Sequence, residues 1–324
     1  MIIVRAPFRV SFAGGGSDIA SFYEKNGGCV LSTTINKYIY LSIHPSFNPD
    51  ETILRYKKSE VVTDVADISH DIVRACLQKK NIKNVEIHSD ADIPAGTGLG
   101  SSSTFTVALL AALNTYQGQE TKKEILAQEA CQIEIEDLKN PIGKQDQYAA
   151  SYGNLNFYRF HQNGEVTVEP VKMSQADKDK MASNLLMFYI GGVHDASQIL
   201  SEQSKNVKEV SKEQSLRKMC ELAEKLKDEL EKGNIDALGK ILHENWLLKR
   251  TLAKEISNPR IDEFYQLALD AGAIGGKLLG AGGAGFLLFY VTQEYQEKVR
   301  QAVNLPELTF SYDTEGCKII YEEK

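Results

Sequence analysis

The chain has 324 residues, and its balance of 42% hydrophobic and 25% charged residues excludes a disordered or fibrous protein. Its formal net charge of -7 leaves no basic excess to neutralise a nucleic-acid backbone, so no nucleic-acid partner is expected. No apolar run reaches membrane-spanning length, the first residues lack signal-peptide features, and the five scattered cysteines form no paired motif. We therefore expect a cytoplasmic protein that does not bind a membrane.

The first half of the chain mixes strand-like and helical segments, with a break expected at Pro7. The predicted elements are strands at 2–6, 9–13 and 84–89, two strands within 28–45, and helices at 67–80, 102–116 and about 121–138. A glycine-rich loop at 92–100 leads into the alanine-rich second helix.

The second half is rich in lysine, glutamate and leucine at helical spacing over 197–255. Its most charged part, 208–232, is typical of a solvated helix face, although these helices could also mediate a homodimer. The remaining predicted elements are helices at 260–271 and 293–303, and strands at 166–171, 273–279, 286–291, 308–312 and 318–321. Because a polar stretch follows the first of these strands, we predict two domains, 1–178 and 179–324.

The strongest local signal is the segment 94–104, in which Gly96, Gly98 and Gly100 precede three serines. The glycines let the backbone turn tightly with its N–H groups inward, and the serines open a helix whose N-terminus can hold a phosphate. Serine hydroxyls in a first helical turn can complete a magnesium shell, or can simply cap the helix. The sequence G-x-x-x-x-G-K-[ST] does not occur, so this is not a Walker P-loop.

Three further segments carry residues suited to chemistry. The glycine cluster 280–285 precedes an apolar strand rather than a helix, so it indicates either close backbone approach to a ligand or a packing turn. Glu134 and Asp146 flank a Pro/Gly break, where they could hold magnesium and orient a hydroxyl, or form an ordinary acidic helix end. Near the N-terminus, a strand delivers Arg9 and runs into a glycine turn that ends at Asp18.

Taken in order, the segments 7–18, 94–104 and 277–286 resemble the three signature motifs of the GHMP kinases, which include galactokinase and the homoserine, mevalonate and phosphomevalonate kinases. The three segments span nearly the whole chain. The resemblance implies an α+β fold of two domains, a ribosomal-protein-S5-like N-terminal one and a ferredoxin-like C-terminal one, with the active site between them. It also implies an ATP-dependent kinase that uses Mg²⁺ and phosphorylates a sugar or sugar phosphate.

The resemblance implies roles for individual residues. Asp146 would be the catalytic base that takes the proton of the acceptor hydroxyl, and Arg9 would lie beside the transferring phosphate. Ser102 and Glu134 would bind Mg²⁺. The ATP-binding residues would be Pro94, Gly96, Gly98, Leu99, Gly100, Ser101, Ser102 and Ser103. The substrate-binding residues would be Asp18, Gly15, Gly16, Gly282 and Gly283.

Within the family, the segments around Asp18 and Asp146 most resemble the D-glycero-D-manno-heptose 7-phosphate kinases, which phosphorylate the anomeric hydroxyl of that sugar phosphate. Gly15 and Gly16 stand where galactokinase has Glu-His, which argues against galactose. The alternatives are a fucokinase-like enzyme, a ligand-binding regulator that has lost catalysis, and a decarboxylase of diphosphate acids. The candidates for binding a substrate phosphate are Arg5, Lys37, Lys144, Lys277 and the histidines, among them His194.

Overall fold

The computed structural model describes residues 1–192, 196–207 and 209–323, and within these ranges the chain forms two β-sheets flanked by helices. The strands are β1 (Ile2–Ala13), β2 (Gly28–Pro45), β3 (Thr52–Arg55), β4 (Ser59–Val62), β5 (Val85–Ala91), β6 (Leu155–Phe160), β7 (Val166–Pro170), β8 (Leu185–Gly191), β9 (Gly275–Leu278), β10 (Gly285–Tyr290), β11 (Tyr312–Asp313) and β12 (Lys318–Glu322). The α-helices are α1 (Ala20–Asn26), α2 (Asp71–Lys80), α3 (Ser101–Tyr116), α4 (Lys123–Cys131), α5 (Gln145–Tyr152), α6 (Gln175–Ser183), α7 (Ala196–Asn206), α8 (Val210–Glu231), α9 (Ala237–Lys249), α10 (Pro259–Asp270) and α11 (Gln296–Val303).

The larger sheet is built around the long antiparallel strands β1 and β2. Its described strands run in the order β12-β1-β2-β5-β3-β4, while β6 and β11 also pair with β2 and β7 pairs with β6. From Ala6 onward every residue of β1 is buried, because α3, α5, α8 and α9 all pack against this strand. Residues at the end of β1 are therefore held rigidly in the interior.

The predicted breaks in the first two strands are wrong. Pro7 lies beyond Arg5, the last residue of β1 that pairs with β12, so its missing N–H group leaves no strand partner unsatisfied on that side. β2 likewise runs on through Asn36, where its pairing with β1 shifts register. The irregularity is held by Asn36, which exchanges two hydrogen bonds with Ser311.

The end of the chain returns to the larger sheet, because β11 pairs with β2 and β12 pairs with β1. The strand predicted at 308–312 is mostly wrong: of these residues only Tyr312 lies in a strand, and Glu307 instead bridges to Phe188 of the smaller sheet. The predicted domain boundary stays a prediction. The residues after this boundary include β11 and β12, which pair with strands of the larger sheet.

Helix α3 is the central helix of the first half, and it is buried from Ser103 to Asn114 because its alanines and leucines pack against β1, β2, α4 and α5. The helix predicted at 121–138 is found as α4 followed by a widened π-helical turn, Gln132–Asp137. No helix within the described ranges is both long enough and apolar enough to span a membrane.

The smaller sheet has the antiparallel order β8-β10-β9 within the described residues. Helix α8 buries an apolar stripe inside the chain itself and leaves its charged residues outward; the buried residues are Leu216, Met219, Leu222, Ala223, Leu226 and Leu230. Helix α8 also packs on β2, and α9 packs on both β1 and β9. The two halves therefore share an interface on which the ends of β1 and β9 meet.

Candidate active site

The loop between β5 and α3 forms a glycine-rich turn at a helix N-terminus. Gly96, Gly98 and Gly100 all have positive φ values of +79°, +86° and +80°. Gly100 caps α3 without a side-chain hydrogen bond, so in the described structure the serines that follow do not cap this helix. The first N–H groups of a 16-residue helix therefore remain available for a phosphate.

Ser102 uses its hydroxyl for a different contact. Its Oγ donates to Oε1 of Glu134 at 2.8 Å, and Nε2 of Gln147 donates to the other carboxylate oxygen, also at 2.8 Å. Glu134 is 0% exposed, and burial raises the pKa of its carboxyl group. A hydroxyl and a carboxylate at this spacing, beside the glycine turn, are hard oxygen ligands of the kind that Mg²⁺ prefers. The residues present therefore fit a magnesium site.

Arg9 and Asp146 form a two-point ion pair. Arg9 Nε donates to Asp146 Oδ1 at 2.7 Å, and Nη2 donates to Oδ2 at 2.8 Å. The third arm of the guanidinium group, Nη1, donates to the carbonyl O of Gly98 at 2.6 Å, which ties the pair to the glycine loop. Gln145 Nε2 adds a contact to Asp146 Oδ1 at 3.0 Å. Because Arg9 is only 6% exposed, the pair is fixed in place before any ligand arrives.

Asp18 lies at the end of the glycine turn that follows β1. The N–H of Gly16 donates to its Oδ1 at 2.9 Å, and the N–H of Gln145 donates to Oδ2 at 3.1 Å. Burial and the nearby charge of Asp146 raise the pKa of the Asp18 carboxyl group. A Cβ atom added at Gly143 would lie 2.0 Å from Asp18 Oδ2, so the chain can pass here only as glycine. The structure thus brings the two aspartates into one electrostatic environment.

The predicted substrate glycines Gly15 and Gly16 belong to the same turn. Gly16 faces Gln203 of α7, whose Nε2 would lie 2.2 Å from an added Cβ atom. Gln203 is buried, and within the described residues neither polar atom of its amide has a hydrogen-bond partner. An unpaired buried amide is costly, so this side chain is suited to a polar ligand.

The two glycine loops contact each other. A Cβ atom added at Gly98 would lie 2.5 Å from the carbonyl O of Leu279, and one added at Gly280 would lie 2.3 Å from the Cα atom of Gly98. The second glycine cluster therefore includes a close backbone approach, and the element approached is the first loop.

Gly282 and Gly283, also predicted to bind substrate, lie against the segment 256–258. The N–H of Gly283 donates to the carbonyl O of Ile256 at 3.1 Å, and its own carbonyl accepts from Asn258 Nδ2 at 3.1 Å. These backbone groups are used to hold the loop, and a contact of these two glycines with substrate stays a prediction.

Three of the four cations considered for a substrate phosphate are engaged by the fold. Lys277 is buried and donates to two backbone carbonyls of β1, the nearer at 2.8 Å. Arg5 forms an ion pair with Glu315, and Lys144 Nζ donates to a backbone carbonyl at 2.6 Å. His194 lies outside the described residues.

Lys249 is a cation of this site that the sequence reasoning missed. It ends α9, is only 6% exposed, and its Nζ donates to the carbonyl O of Gly280 at 2.8 Å. Burial and the charge of Arg9 lower its pKa to about 8, although Asp18 and Asp146 act to raise it. The charges of Arg9, Asp18 and Asp146 therefore all act on Lys249.

Asn245, one helical turn before Lys249, was missed as well. Its Oδ1 accepts from the N–H of Gly14 at 3.1 Å, while its Nδ2 has no partner among the described residues. The available signal was the position of both side chains on the apolar face of α9, in line with Leu238, Leu242 and Trp246. Polar residues on a buried helix face require an internal partner or a ligand.

Comparison with protein families gives matches in both halves of the chain. Residues 67–154 match the N-terminal domain of the GHMP kinases, and residues 226–306 match the C-terminal region of the same family. The first range contains the glycine loop before α3, Glu134 and Asp146, and the second contains Lys249 and the 280–285 loop.

Individual relatives match over almost their full length. A D-glycero-alpha-D-manno-heptose 7-phosphate kinase from Campylobacter jejuni is 28% identical over 98% of this chain and 98% of its own. A galactokinase from Thermotoga maritima is 26% identical over 99% of this chain and 97% of its own. Among solved structures, a D-glycero-D-manno-heptose 1-phosphate kinase from Bacteroides thetaiotaomicron matches with a TM-score of 0.81 and 26% identity, covering 100% of both chains.

Phosphoryl transfer depends on alignment and charge neutralisation, and the Arg9–Asp146 pair lies where the glycine loops of the two matched regions contact each other. The protein is an ATP-dependent phosphotransferase. It belongs to the GHMP kinase family, and the predicted α+β fold of that family is confirmed. The roles assigned to single residues stay predictions, although the structure brings Arg9 to Asp146 and Ser102 to Glu134.

Proposed function

We propose that this kinase phosphorylates the anomeric hydroxyl of D-glycero-D-manno-heptose 7-phosphate, giving the 1,7-bisphosphate for nucleotide-activated heptose synthesis. The observation that supports a sugar acceptor is that Gln145 donates to both Asp18 and Asp146, which brings the two carboxylates together, so that one can bind a hydroxyl while the other takes a proton. The choice of sugar is supported by the full-length similarity to the Campylobacter jejuni enzyme. The Bacteroides thetaiotaomicron relative is named for a 1-phosphate, so the position of the substrate phosphate needs its own test.

The polar groups around the glycine turn suit a polyhydroxylated acceptor. Asp18 offers carboxylate oxygens, Gln203 offers one donor group and one acceptor, and Asn245 offers an amide donor. All three side chains are buried. A substrate hydroxyl that bonds to the unpaired amide groups of Gln203 or Asn245 would remove the free-energy cost of burying those groups without a partner. Replacement of the galactokinase Glu-His by Gly15 and Gly16 leaves the turn without bulky side chains.

In the proposed reaction the anomeric oxygen forms a bond to the γ-phosphorus of ATP as the bond from phosphorus to the β–γ bridging oxygen breaks. ADP leaves with the electron pair of that bond, and Asp146 takes the hydroxyl proton. Arg9 holds Asp146 in position with two hydrogen bonds and places positive charge beside the transferring group. The N-terminus of α3 and the amides of the glycine loop bind the remaining phosphates.

The donor set of Ser102 and Glu134 is the proposed magnesium site. Mg²⁺ bound there supplies charge neutralisation at the phosphates. Gln147 keeps the Glu134 carboxylate oriented, and Ser102 sits in the first turn of α3, so both ligands face the phosphate loop.

The test is ADP release from Mg-ATP with a panel of acceptors: heptose 7-phosphate, heptose 1-phosphate, galactose, mannose and fucose. Turnover with heptose 7-phosphate at a kcat/KM at least tenfold above every other acceptor is expected. Asp146→Asn serves as the catalytically impaired control. Preferred turnover of a free sugar would retain the mechanism and overturn the heptose assignment.

A fucokinase-like activity is the second candidate. The bifunctional fucokinase/GDP-fucose pyrophosphorylase of Arabidopsis thaliana is 25% identical over 92% of this chain, although the match covers 30% of that longer protein. Fucose turnover in the same panel would favour it. A non-catalytic regulator would bind the sugar without releasing ADP. The cytoplasmic location and the homodimer stay predictions.

A further inference from the structure

Helix α9, in the C-terminal half, carries two buried polar side chains that contact glycine loops. Asn245 and Lys249 are one helical turn apart, so they lie on the same face. Asn245 contacts Gly14 in the turn before Asp18, and Lys249 contacts Gly280 in the second glycine loop. One face of this helix therefore contacts both loops that border the proposed site of phosphoryl transfer.

The position of Lys249 relative to Arg9 follows from the contacts between the loops. Lys249 Nζ bonds to Gly280, Gly280 packs directly on Gly98, and the carbonyl of Gly98 accepts a hydrogen bond from Arg9. The two cations thus approach the phosphate loop from opposite halves of the chain. Arg9 has Asp146 as its counter-ion, which leaves Lys249 as the cation that lacks one.

Lys249 is poorly compensated for a buried ammonium group. Across the described ranges, its only hydrogen-bond partner is one backbone carbonyl, and no carboxylate lies within ion-pair distance. An ammonium group has three donors, so two remain for a ligand. The charged groups that face it are Arg9 from β1, Asp18 from the following turn, Asp146 from α5 and Lys277 from β9. A buried cation with spare donors in such a setting is stabilised by an anion.

We propose that Lys249 binds the terminal phosphoryl group of the nucleotide, donating a hydrogen bond to an oxygen of the group that is transferred. This inference rests on the proposed kinase reaction and adds a second cationic residue to it. Arg9 and Lys249 would share the negative charge of the transferring group, one from each half of the chain. The contact with Gly280 then positions the ammonium group, and it explains why the second glycine loop must lie so close to the first.

The first test compares the affinities for the Mg²⁺ complexes of β,γ-imido-ATP and ADP by calorimetry. Lys249→Met is expected to weaken the triphosphate analogue on the order of 10- to 100-fold, as a lost charged hydrogen bond would, and to change ADP binding by less than about threefold. Lys249→Arg is expected to recover part of the difference. The matched control is Arg250→Met, which removes the neighbouring cation that pairs with Asp262.

Equal weakening of both nucleotides by Lys249→Met would assign the lysine a purely structural role and overturn the proposal. Unchanged nucleotide affinities with a raised KM for the sugar would place Lys249 at the acceptor and also overturn it. A wild-type protein that binds both nucleotides but phosphorylates no sugar would instead contradict the proposed function alone. Thermal unfolding of each variant verifies that it is folded.

The pH profile provides a readout that a structural lysine would not change. Because the pKa of Lys249 is about 8, kcat/KM of the wild-type enzyme is expected to fall as pH rises through that value. Lys249→Met should have a lower kcat/KM at pH 7 and no fall with that midpoint. An identical alkaline limb in the variant would show that another group is responsible.

Discussion

The two halves of the molecule treat their buried cations differently. In the N-terminal half, Arg9 is matched by Asp146 through two hydrogen bonds, so its charge is compensated by the protein itself. In the C-terminal half, Lys249 is equally buried, and among the described residues its hydrogen-bond partner is one backbone carbonyl rather than a carboxylate. The first arrangement fixes a catalytic geometry in advance, and the second keeps a cation ready for a ligand that brings negative charge. Removal of the Asp146 counter-ion and removal of the Lys249 charge should therefore have opposite effects on the free energy of unfolding.

The largest effect is expected from Asp146→Asn. The amide keeps the shape of the side chain but cannot take the hydroxyl proton, so kcat should fall on the order of 10³-fold. It also leaves Arg9 without its counter-ion, which should lower the free energy of unfolding by about 1–2 kcal/mol, since Asp146 is partly exposed. Steady-state kinetics and urea unfolding measure the two quantities. Full turnover by this variant would exclude Asp146 as the base.

Glu134→Gln should have the next largest effect on activity. Glutamine can keep the contacts with Ser102 and Gln147 but is a weaker ligand for Mg²⁺, so kcat should fall on the order of 10²-fold and the Mg²⁺ concentration for half-maximal rate should rise. Stability should be kept, because burial already disfavours the charged form of Glu134. An unchanged Mg²⁺ dependence would move the metal site elsewhere.

Gly98→Ala tests whether the contact between the halves matters. Both Gly98 and Gly118 have positive φ, but an added Cβ meets a backbone oxygen at 2.5 Å only at Gly98, while the position at Gly118 is open. Gly118→Ala should cost about 1–2 kcal/mol of unfolding free energy from backbone strain alone. Gly98→Ala should cost about 1–3 kcal/mol more through overpacking, and should raise the KM for ATP. An equal loss of unfolding free energy in the two variants would mean that the glycine loops at 98 and 280 can move apart without destabilising the protein.

Lys249→Met should be stabilising, by a smaller amount than Gly98→Ala should destabilise. The folded pKa of about 8 lies below the ordinary lysine value of 10.5, so wild-type stability rises with pH between these values and is lost as pH falls through about 8. At pH 7 the variant should gain about 1–2 kcal/mol, after allowing for the lost hydrogen bond to Gly280. This gain should disappear above about pH 10.5. Urea unfolding at pH 7 and at high pH measures it, and destabilisation at pH 7 would show that Lys249 is well compensated.

The residues that could be predicted from the sequence differ from those that could not. Ser102 and Asp146 lie in the first turns of α3 and α5, and Arg9 lies on the strand that leads into the Gly14 turn, so neighbouring residues decide the backbone path there. Lys249 lies on the apolar face of α9, which indicates burial, but its partner Gly280 is distant in sequence. Its place beside the glycine loops therefore could not be predicted from local pattern alone.

The elements of the fold also divide into those set by neighbouring residues and those set by contacts distant in sequence. The helix start at Ser101 and the strand before it were predicted within about two residues, because glycines and apolar periodicity mark them. Continuity of β1 through Pro7 was not predicted, because it depends on where β12, from the other end of the chain, stops pairing. The strand expected at 308–312 was wrong for a related reason, since Glu307 and Leu308 bond to β8 of the smaller sheet instead.

The most direct measurement of the central claim is the identity of the product formed from Mg-ATP and heptose 7-phosphate, read by phosphorus and proton NMR. We expect one new phosphate ester coupled to the anomeric proton, formed by the wild-type enzyme and lost with Asp146→Asn. A new phosphate on any other hydroxyl, or no product with this acceptor while another sugar is phosphorylated, would contradict it.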